Sequence, residues 1–417
     1  MTAYVIATSC TKFGKHPGSS FKDLTRDAYL AVLKDAGLPD GGAIENAWFS
    51  NCGMGTFGQR NIRGQVCFTP LVREGLFPER VAMTNVEGGC ASASMALHGA
   101  WKDILSGTAD LSLAIGVEKT FVQNDPDKTR EVFEGGIDQF DVDEWKAYYK
   151  AAGEVAGKPF DPNGGGGTVF MDTYAMQAAF HMAKYGTTRR QLATAASQSH
   201  HHGSLNPLAQ YQFDVSVDQA LEDRVVSDPL TRSMCAPIGD GAAAALVCSE
   251  RFLAGLPPEI RERAVAIRAA TMTGGKYRRL DEPSLSRVAA ERAYRMAGLT
   301  PDAVDVTEVH DATSFSIIFQ SEMMGFCPDG KGGDFVASGA TALGGSKPVN
   351  LSGGLVSKGH PVGATGLSMI HELATQLRGE AGARQAEGAR IALAENGGGT
   401  IGFDEAVCAV TILEKVH

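Results

Sequence analysis

One pattern in this chain occurs twice, far apart, and it restricts the fold more than any other feature. Residues 28–37 read as an amphipathic helix closed by Gly37; Pro39 and Asp40 follow, then a strand-like run at 44–50. Residues 289–298 repeat this with Gly298 as the stop, Pro301 and Asp302 in the turn, and a strand at 304–309. Glycine ends such helices because it enters the left-handed conformation without a steric penalty. The parallel continues. Gly88 and Gly89 lead into Cys90 and a helix in which Leu97, Trp101, Ile104 and Leu105 share a face; Gly107 stops it before the strand 111–115. Downstream, His360 and Gly363 lead into the helix 364–377, which Gly379 stops before the strand 390–394. Matching order and spacing imply a duplicated α/β unit, with a mixed sheet covered by helices on both faces. A cysteine in one copy and a histidine in the other then sit at equivalent helix entrances.

Between the copies, residues 121–230 break the pattern. Four acidic residues fall within 138–144, four glycines at 164–167, and helical stretches are expected at 171–185 and 189–201. This reads as an inserted subdomain. Residues 233–247 then return through a turn to a buried strand of small residues. The glycine run lacks a following Lys-Ser/Thr, so it is not a phosphate-binding P-loop.

Composition narrows the function. The net charge of −10 argues against nucleic-acid binding or an anionic membrane surface. No apolar run reaches the length of a membrane span, and residues 1–15 lack signal-peptide features. The eight cysteines contain no CxxC pair, so neither a disulfide scaffold nor a zinc site is expected, and a reducing cytoplasm is. His200, His201 and His202 are adjacent, without ligand spacing, and read as a polar helix end rather than a metal site.

The chemistry-bearing candidates are Cys90, His360 and His310. At a helix N-terminus, Cys90 meets partial positive charge that favours thiolate, so a lowered thiol pKa is expected. His360 lies in a glycine-rich stretch suited to presenting a ring that takes the thiol proton. His310, beside Asp311, ends a strand and could donate a hydrogen bond to a substrate oxygen.

These segments resemble the thiolase superfamily, and within it the sterol-carrier-protein-type thiolases. The resemblance covers essentially the whole chain and rests on residues 88–92, 309–311, 325–330 and 352–366. It implies two βαβαβαββ repeats in a five-layer αβαβα sandwich with an inserted loop domain. Residues 1–120 with 231–255 would form the first half, 121–230 the insertion lining a coenzyme A channel, and 256–417 the second half. It implies acyl transfer with acyl-CoA as substrate and no permanently bound cofactor. A homodimer or tetramer is implied, and in some relatives a small OB-fold/zinc-ribbon partner protein. Cys90 would be the acyl-accepting nucleophile, His360 its activator and His310 a donor in the first oxyanion hole. The Cys90 N–H and one from residues 397–399, Gly397 and Gly398 among them, would form the second. Ser233 would lie near the coenzyme A channel. Two departures stand out. The HDCF motif of this branch, whose cysteine works on the second substrate, reads His310, Asp311, Ala312, Thr313 here. The stretch corresponding to the CxG motif of ordinary thiolases reads Glu395, Asn396, Gly397, Gly398, Gly399. Both thiols are missing, leaving Glu395 or Ser314 as expected substitutes.

Overall fold

The structure is a computed structural model and describes residues 2–161 and 168–416. The glycine run 164–167 lies outside the described residues.

The first half runs β1 (Ala3–Cys10), α1 (Phe21–Asp35), β2 (Asn46–Ser50), α2 (Arg63–Arg73), β3 (Ala82–Val86), α3 (Ser92–Ser106) and β4 (Leu111–Glu118). After it come the longer helices of the intervening segment, α4 (Pro126–Glu134), α5 (Val142–Ala156), α6 (Val169–Tyr185) and α7 (Arg189–Ser204), and a short one at Val217–Glu222. Strand β5 (Gly241–Ser249) closes the half. The second half runs β6 (Val265–Gly274), α8 (Leu285–Ala297), β7 (Val306–Val309), α9 (Ser314–Met323), α10 (Thr365–Arg378), β8 (Ile391–Gly398) and β9 (Val407–Lys415). A parallel bridge from Thr307 to Val349 supplies the remnant of one more strand between α9 and α10.

Among the described residues these nine strands form one sheet in the order β3-β2-β4-β5-β1-β6-β9-β8-β7. The order is mirrored about its centre. Each half keeps its parallel strands outermost and its antiparallel strands toward the seam. At the seam β1 pairs antiparallel with β6, Val5 opposite Val265 and Ala3 opposite Ile267.

Helices α3 and α10 occupy the middle layer. Leu97 and Ile104 of the first and Leu367, Ile370 and Leu373 of the second share one core with strands of both halves. Helices α1 and α2 cover the outer face of the first half against Phe49, Leu113 and Leu246. Helices α8 and α9 do the same for the second half against Val309, Val410 and Ile412. The result is the five-layer α/β arrangement of a thiolase-like duplication. Strands with both faces covered must be apolar throughout, and β5 is buried at every position. Each fully buried leucine in this layer contributes roughly 1.5–3 kcal/mol of transfer free energy. The matched central helices stop alike, at Gly107 (φ 71°) and Gly379 (φ 76°).

Two sequence expectations shift. Leu105 is 36% exposed. One residue step turns a helix about 100°, so Leu105 leaves the face that Ile104 buries. The intervening helices also make little core of their own. Ala175 and Ala178 of α6 and Leu192 and Ala196 of α7 join the outer core of the second half. Among the described residues a small cluster around Trp145, Tyr149 and Met176 is local, and Phe403 from the second half enters it.

Candidate active site

After β3 the chain makes a single tight turn, Gly89–Ala91, and then enters α3, so Cys90 stands at the head of a middle-layer helix. Ser92 holds this turn. Its hydroxyl accepts from the Gly88 N–H (2.9 Å) and donates to the Gly89 carbonyl (2.6 Å). The turn lies directly against residues 397–399 at the end of β8. A Cβ on Gly398 would sit 2.6 Å from the Cys90 nitrogen, and one on Gly89 2.4 Å from the Gly399 nitrogen. Only glycine permits that approach of two backbones.

His360 reaches Cys90 from the other half. Its Nε2 lies 3.1 Å from Cys90 Sγ, and its Nδ1 2.8 Å from Thr365 Oγ1. Thr365 donates its one hydroxyl proton to the Pro361 carbonyl (3.1 Å). It must therefore accept from Nδ1–H, which assigns the proton to Nδ1 and leaves the Nε2 lone pair facing the thiol. The loop carrying this ring is tied to the first half at Gly363. Its N–H donates to Glu118 at the end of β4 (3.2 Å), and its carbonyl accepts from Ser50 of β2 (2.7 Å). Glu118 also accepts from the Cys52 and Gly53 N–H groups (2.9 and 3.1 Å). Burial raises its pKa to about 7, opposed by these backbone donors.

His310 follows β7 directly, and its backbone N–H donates to Glu395 Oε2 (3.0 Å). Its ring centroid stands 5.3 Å from that of His360, edge to face. Its Nε2 has no partner among the described residues, while the residue lines the same cavity as Cys90 and His360. Its neighbour Asp311 turns away, accepting from the Leu355 N–H (2.7 Å) and so fixing the glycine-rich stretch before His360.

The cavity has a volume of about 740 Å³. Cys90, His310, Ala312 and His360 line one part of it, Phe133 and Met171 from the intervening segment another. Lys15, Arg224 and Arg232, all exposed, also line it.

Burial dominates the titration of the central groups. It lowers His310 to about 4 and His360 well below its ordinary value, the latter assisted by His310 and Lys358. It pushes the Cys90 thiol up to about 12, against the opposing effect of a backbone N–H, and nearby Glu118 and Glu405 push the same way. The expected lowering is thus reversed: one helix terminus offers about half a unit charge, too little to repay removal of the thiolate from water. The resting pair is a neutral thiol donating to a neutral imidazole. The three donor atoms of Cys90, His310 and His360 lie within 4.8 Å of one another, a set a metal ion could use; the lone pair on His360 already faces the thiol.

Residues 3–251 match the family described as "Thiolase, N-terminal domain", and residues 278–414 that described as "Thiolase C-terminal domain-like". The chain belongs to the thiolase family. An acetyl-CoA acetyltransferase of Methanothermobacter thermautotrophicus is 37% identical over 404 residues, 95% of this chain and 96% of that one. Sterol carrier protein 2 of Bos taurus is 35% identical over 409 residues, 94% of this chain and 69% of that one. The solved Ltp2-ChsH2(DUF35) aldolase shares the fold, with TM-score 0.77 at 22% identity, covering 99% of this chain and 97% of that one.

Within this thiolase-family site, several sequence candidates lie elsewhere. Ser233 does not line the cavity: its N–H (3.0 Å) and hydroxyl (2.5 Å) both donate to Asp223. Glu395 is fully buried and takes part in no cavity wall; it holds the His310 N–H and the Ser286 hydroxyl (3.1 Å). Position 395 shares a strand face with Gly397 but lies two residues deeper in β8, away from the strand end that reaches the cavity. Ser314 is also fully buried and lies outside the wall. The three consecutive histidines are dispersed: His200 on the Ser233 carbonyl (3.1 Å), His201 on Asp214 (3.0 Å), His202 on the Asn350 carbonyl (3.0 Å). Gly397, Gly398 and Ala312 do line the cavity. So do Tyr174 and Glu405, which sequence reasoning missed. No local motif marks either one: Tyr174 arrives from α6, and Glu405 stands in the connection between β8 and β9.

Proposed function

We propose that this thiolase-family acyltransferase works through an S-acyl intermediate on Cys90, in 3-oxoacyl-CoA thiolysis or the reverse Claisen condensation. The observation that carries this reading is the 3.1 Å contact from Cys90 Sγ to His360 Nε2, with Thr365 setting the tautomer. As Sγ attacks the thioester carbonyl, its proton passes to Nε2. The departing coenzyme A thiolate takes that proton back, leaving the acyl group on sulfur. In thiolysis Sγ attacks the 3-oxo carbonyl of a 3-oxoacyl-CoA instead; the bond between its α- and β-carbons breaks, the α-carbon takes up a proton as acetyl-CoA leaves, and coenzyme A then accepts the acyl group from sulfur.

The thioester oxygen would sit against the Cys90 N–H and a donor of residues 397–399. His310, through its unpartnered Nε2, would serve the carbonyl of the second substrate. For that role Nε2 must carry a proton, and the neutral ring its burial enforces has one to give. Lys15, Arg224 and Arg232 supply cations suited to the phosphates of coenzyme A, and the cavity holds a pantetheine-sized arm beside Phe133 and Met171. No cofactor need remain bound. Among the described residues no helix is long and apolar enough to cross a membrane. The same proposal takes the chain as a cytoplasmic homodimer or tetramer, with a small OB-fold/zinc-ribbon protein as an additional component to be sought by co-purification.

Mass spectrometry after incubation with short acyl-CoA esters tests the reading. A covalent acyl group on the Cys90 peptide supports it, and its absence with every ester removes it. Ala312, which leaves no thiol beside His310, favours a second reading in which the acyl group passes to an acceptor that is already nucleophilic. An acylated enzyme that never exchanges the α-protons of acyl-CoA would select that one.

A further inference from the structure

Carbon–carbon bond chemistry needs a group that moves the α-proton of the second substrate, and neither familiar thiol position supplies one here. A carboxylate elsewhere in the cavity wall does. We propose that Glu405 is the acid/base that exchanges a proton with the α-carbon, an assignment that rests on the S-acyl reading above.

The argument begins with position. Glu405 follows the turn between β8 and β9 and lines the same cavity as Cys90, His310 and Ala312. Its side chain lies across Gly397: a Cβ there would fall 2.4 Å from its Cγ, 2.8 Å from its Cδ and 3.0 Å from its Oε1. Glycine at 397 is therefore what makes room for the carboxyl next to the turn that carries Cys90. The backbone on either side is pinned. The Glu405 carbonyl packs against Gly275, where any Cβ would collide with it at 1.9 Å. Preceding Asp404 is held by Arg278 (2.8 Å) and the Leu285 N–H (3.1 Å).

The second observation is an unsatisfied atom. Glu405 Oε2 is out of contact with solvent and has no hydrogen-bond partner among the described residues. A carboxyl oxygen left in this state is costly, and a ligand proton in the cavity would relieve it. Glu395 offers no such atom to the cavity, since its oxygens serve His310 and Ser286.

The charge environment suits the task. Burial raises Glu405 to about 7, where it can both take and return a proton near neutrality. Asp404 on its own turn adds to this and Arg278 opposes it. The other titratable groups facing it are Glu395 on β8, Cys408 on β9, Tyr174 on α6 and Cys90. All are held protonated at neutrality by burial, Glu395 at about 8, so Glu405 titrates beside neutral neighbours.

In the condensing direction the α-C–H bond breaks and its proton goes to a Glu405 oxygen. The electron pair forms the new bond to the acyl carbon on Cys90. The C–S bond then breaks toward Sγ, which recovers a proton as Glu405 releases one, so both groups return to their starting state. Thiolysis runs these events in reverse.

The test compares native enzyme, Glu405→Gln, Glu405→Asp and the double variant Glu405→Gln with Ala312→Cys. Acetyl-, propionyl- and butyryl-CoA serve as probes. Acylation of Cys90 is followed by mass spectrometry, and α-proton exchange of the thioester in deuterated buffer by NMR. Glu405→Gln should still acylate Cys90 while exchange falls about 10²–10⁴-fold. Exchange in the native enzyme should fall on the acid side of about pH 7, and the Gln variant should lose that limb. Asp should restore part of the rate, and so should the thiol at 312. Exchange at the native rate in Glu405→Gln overturns the assignment. So does an equal loss of acylation and exchange, which would make Glu405 structural, and so does native enzyme that acylates but never exchanges. If no ester acylates native Cys90, the S-acyl reading itself has failed.

Discussion

The two helix entrances that meet at the cavity are built from corresponding parts of a duplicated half, and they are secured in different ways. At α3 the turn is tied by side chains close to it in sequence, the Ser92 hydroxyl and the Glu87 carboxylate, and residues 397–399 of the other half press against it as bare backbone. At α10 the approach is longer, and side chains hold it: Thr365 orients the ring, while Glu118 and Ser50 grip Gly363 from the other half. The difference follows from what each entrance presents. A thiol needs only to be placed. An imidazole must also be turned and given the correct tautomer, which takes a directional hydrogen bond. Duplication thus supplies two approaches to one point, and divergence at each supplies a thiol and an imidazole.

Removing what either entrance presents should break the pair most severely. Cys90→Ala should lose covalent acylation and about 10⁴-fold or more in turnover, measured by steady-state assay with mass spectrometry. Turnover that survives would mean the first entrance carries no nucleophile. The pH dependence of iodoacetamide alkylation at Cys90 sharpens the electrostatic side. With the thiol pushed to about 12, the reactive thiolate grows as pH rises. The rate should climb about tenfold per pH unit, close to 10³-fold from pH 8 to 11. A plateau near neutrality would instead mean that the helix entrance does yield a preformed thiolate.

His310→Ala probes the ring that accompanies His360 without touching the thiol. It should cost about 10²–10³-fold in the second half-reaction and leave single-turnover acylation standing. Equal loss in both steps would erase the distinction between the two histidines. Thr365→Val tests the orienting bond alone. Losing a hydrogen bond worth about 0.5–1.5 kcal/mol should slow acylation roughly 2- to 10-fold. No change would show that packing, rather than the threonine, sets the ring.

The duplication, the helix stops at Gly107 and Gly379, and the trio Cys90, His310 and His360 were all legible in the chain. Each depends on local residue order: a glycine where a helix must end, or a reactive side chain where one begins. The mirrored sheet order is consistent with that reading, although nothing local specifies that β1 meets β6. The acid/base candidates were misplaced for a related reason. Depth along β8 decides whether a residue reaches the cavity: the end of the strand at Gly397 and Gly398 lines it, while Glu395, two residues earlier, is buried where motif position suggested a catalytic group.

What residue order settled was which elements form, where they end, and that a thiol and an imidazole stand at matching helix entrances. Tertiary structure alone decided the rest: the 3.1 Å approach of Cys90 to His360, the reversal of the expected thiol pKa, and the arrival of Glu405 over Gly397. The physical reason is that periodicity and capping act within a few residues. Desolvation and side-chain meetings depend on which distant segments the packed sheet brings together.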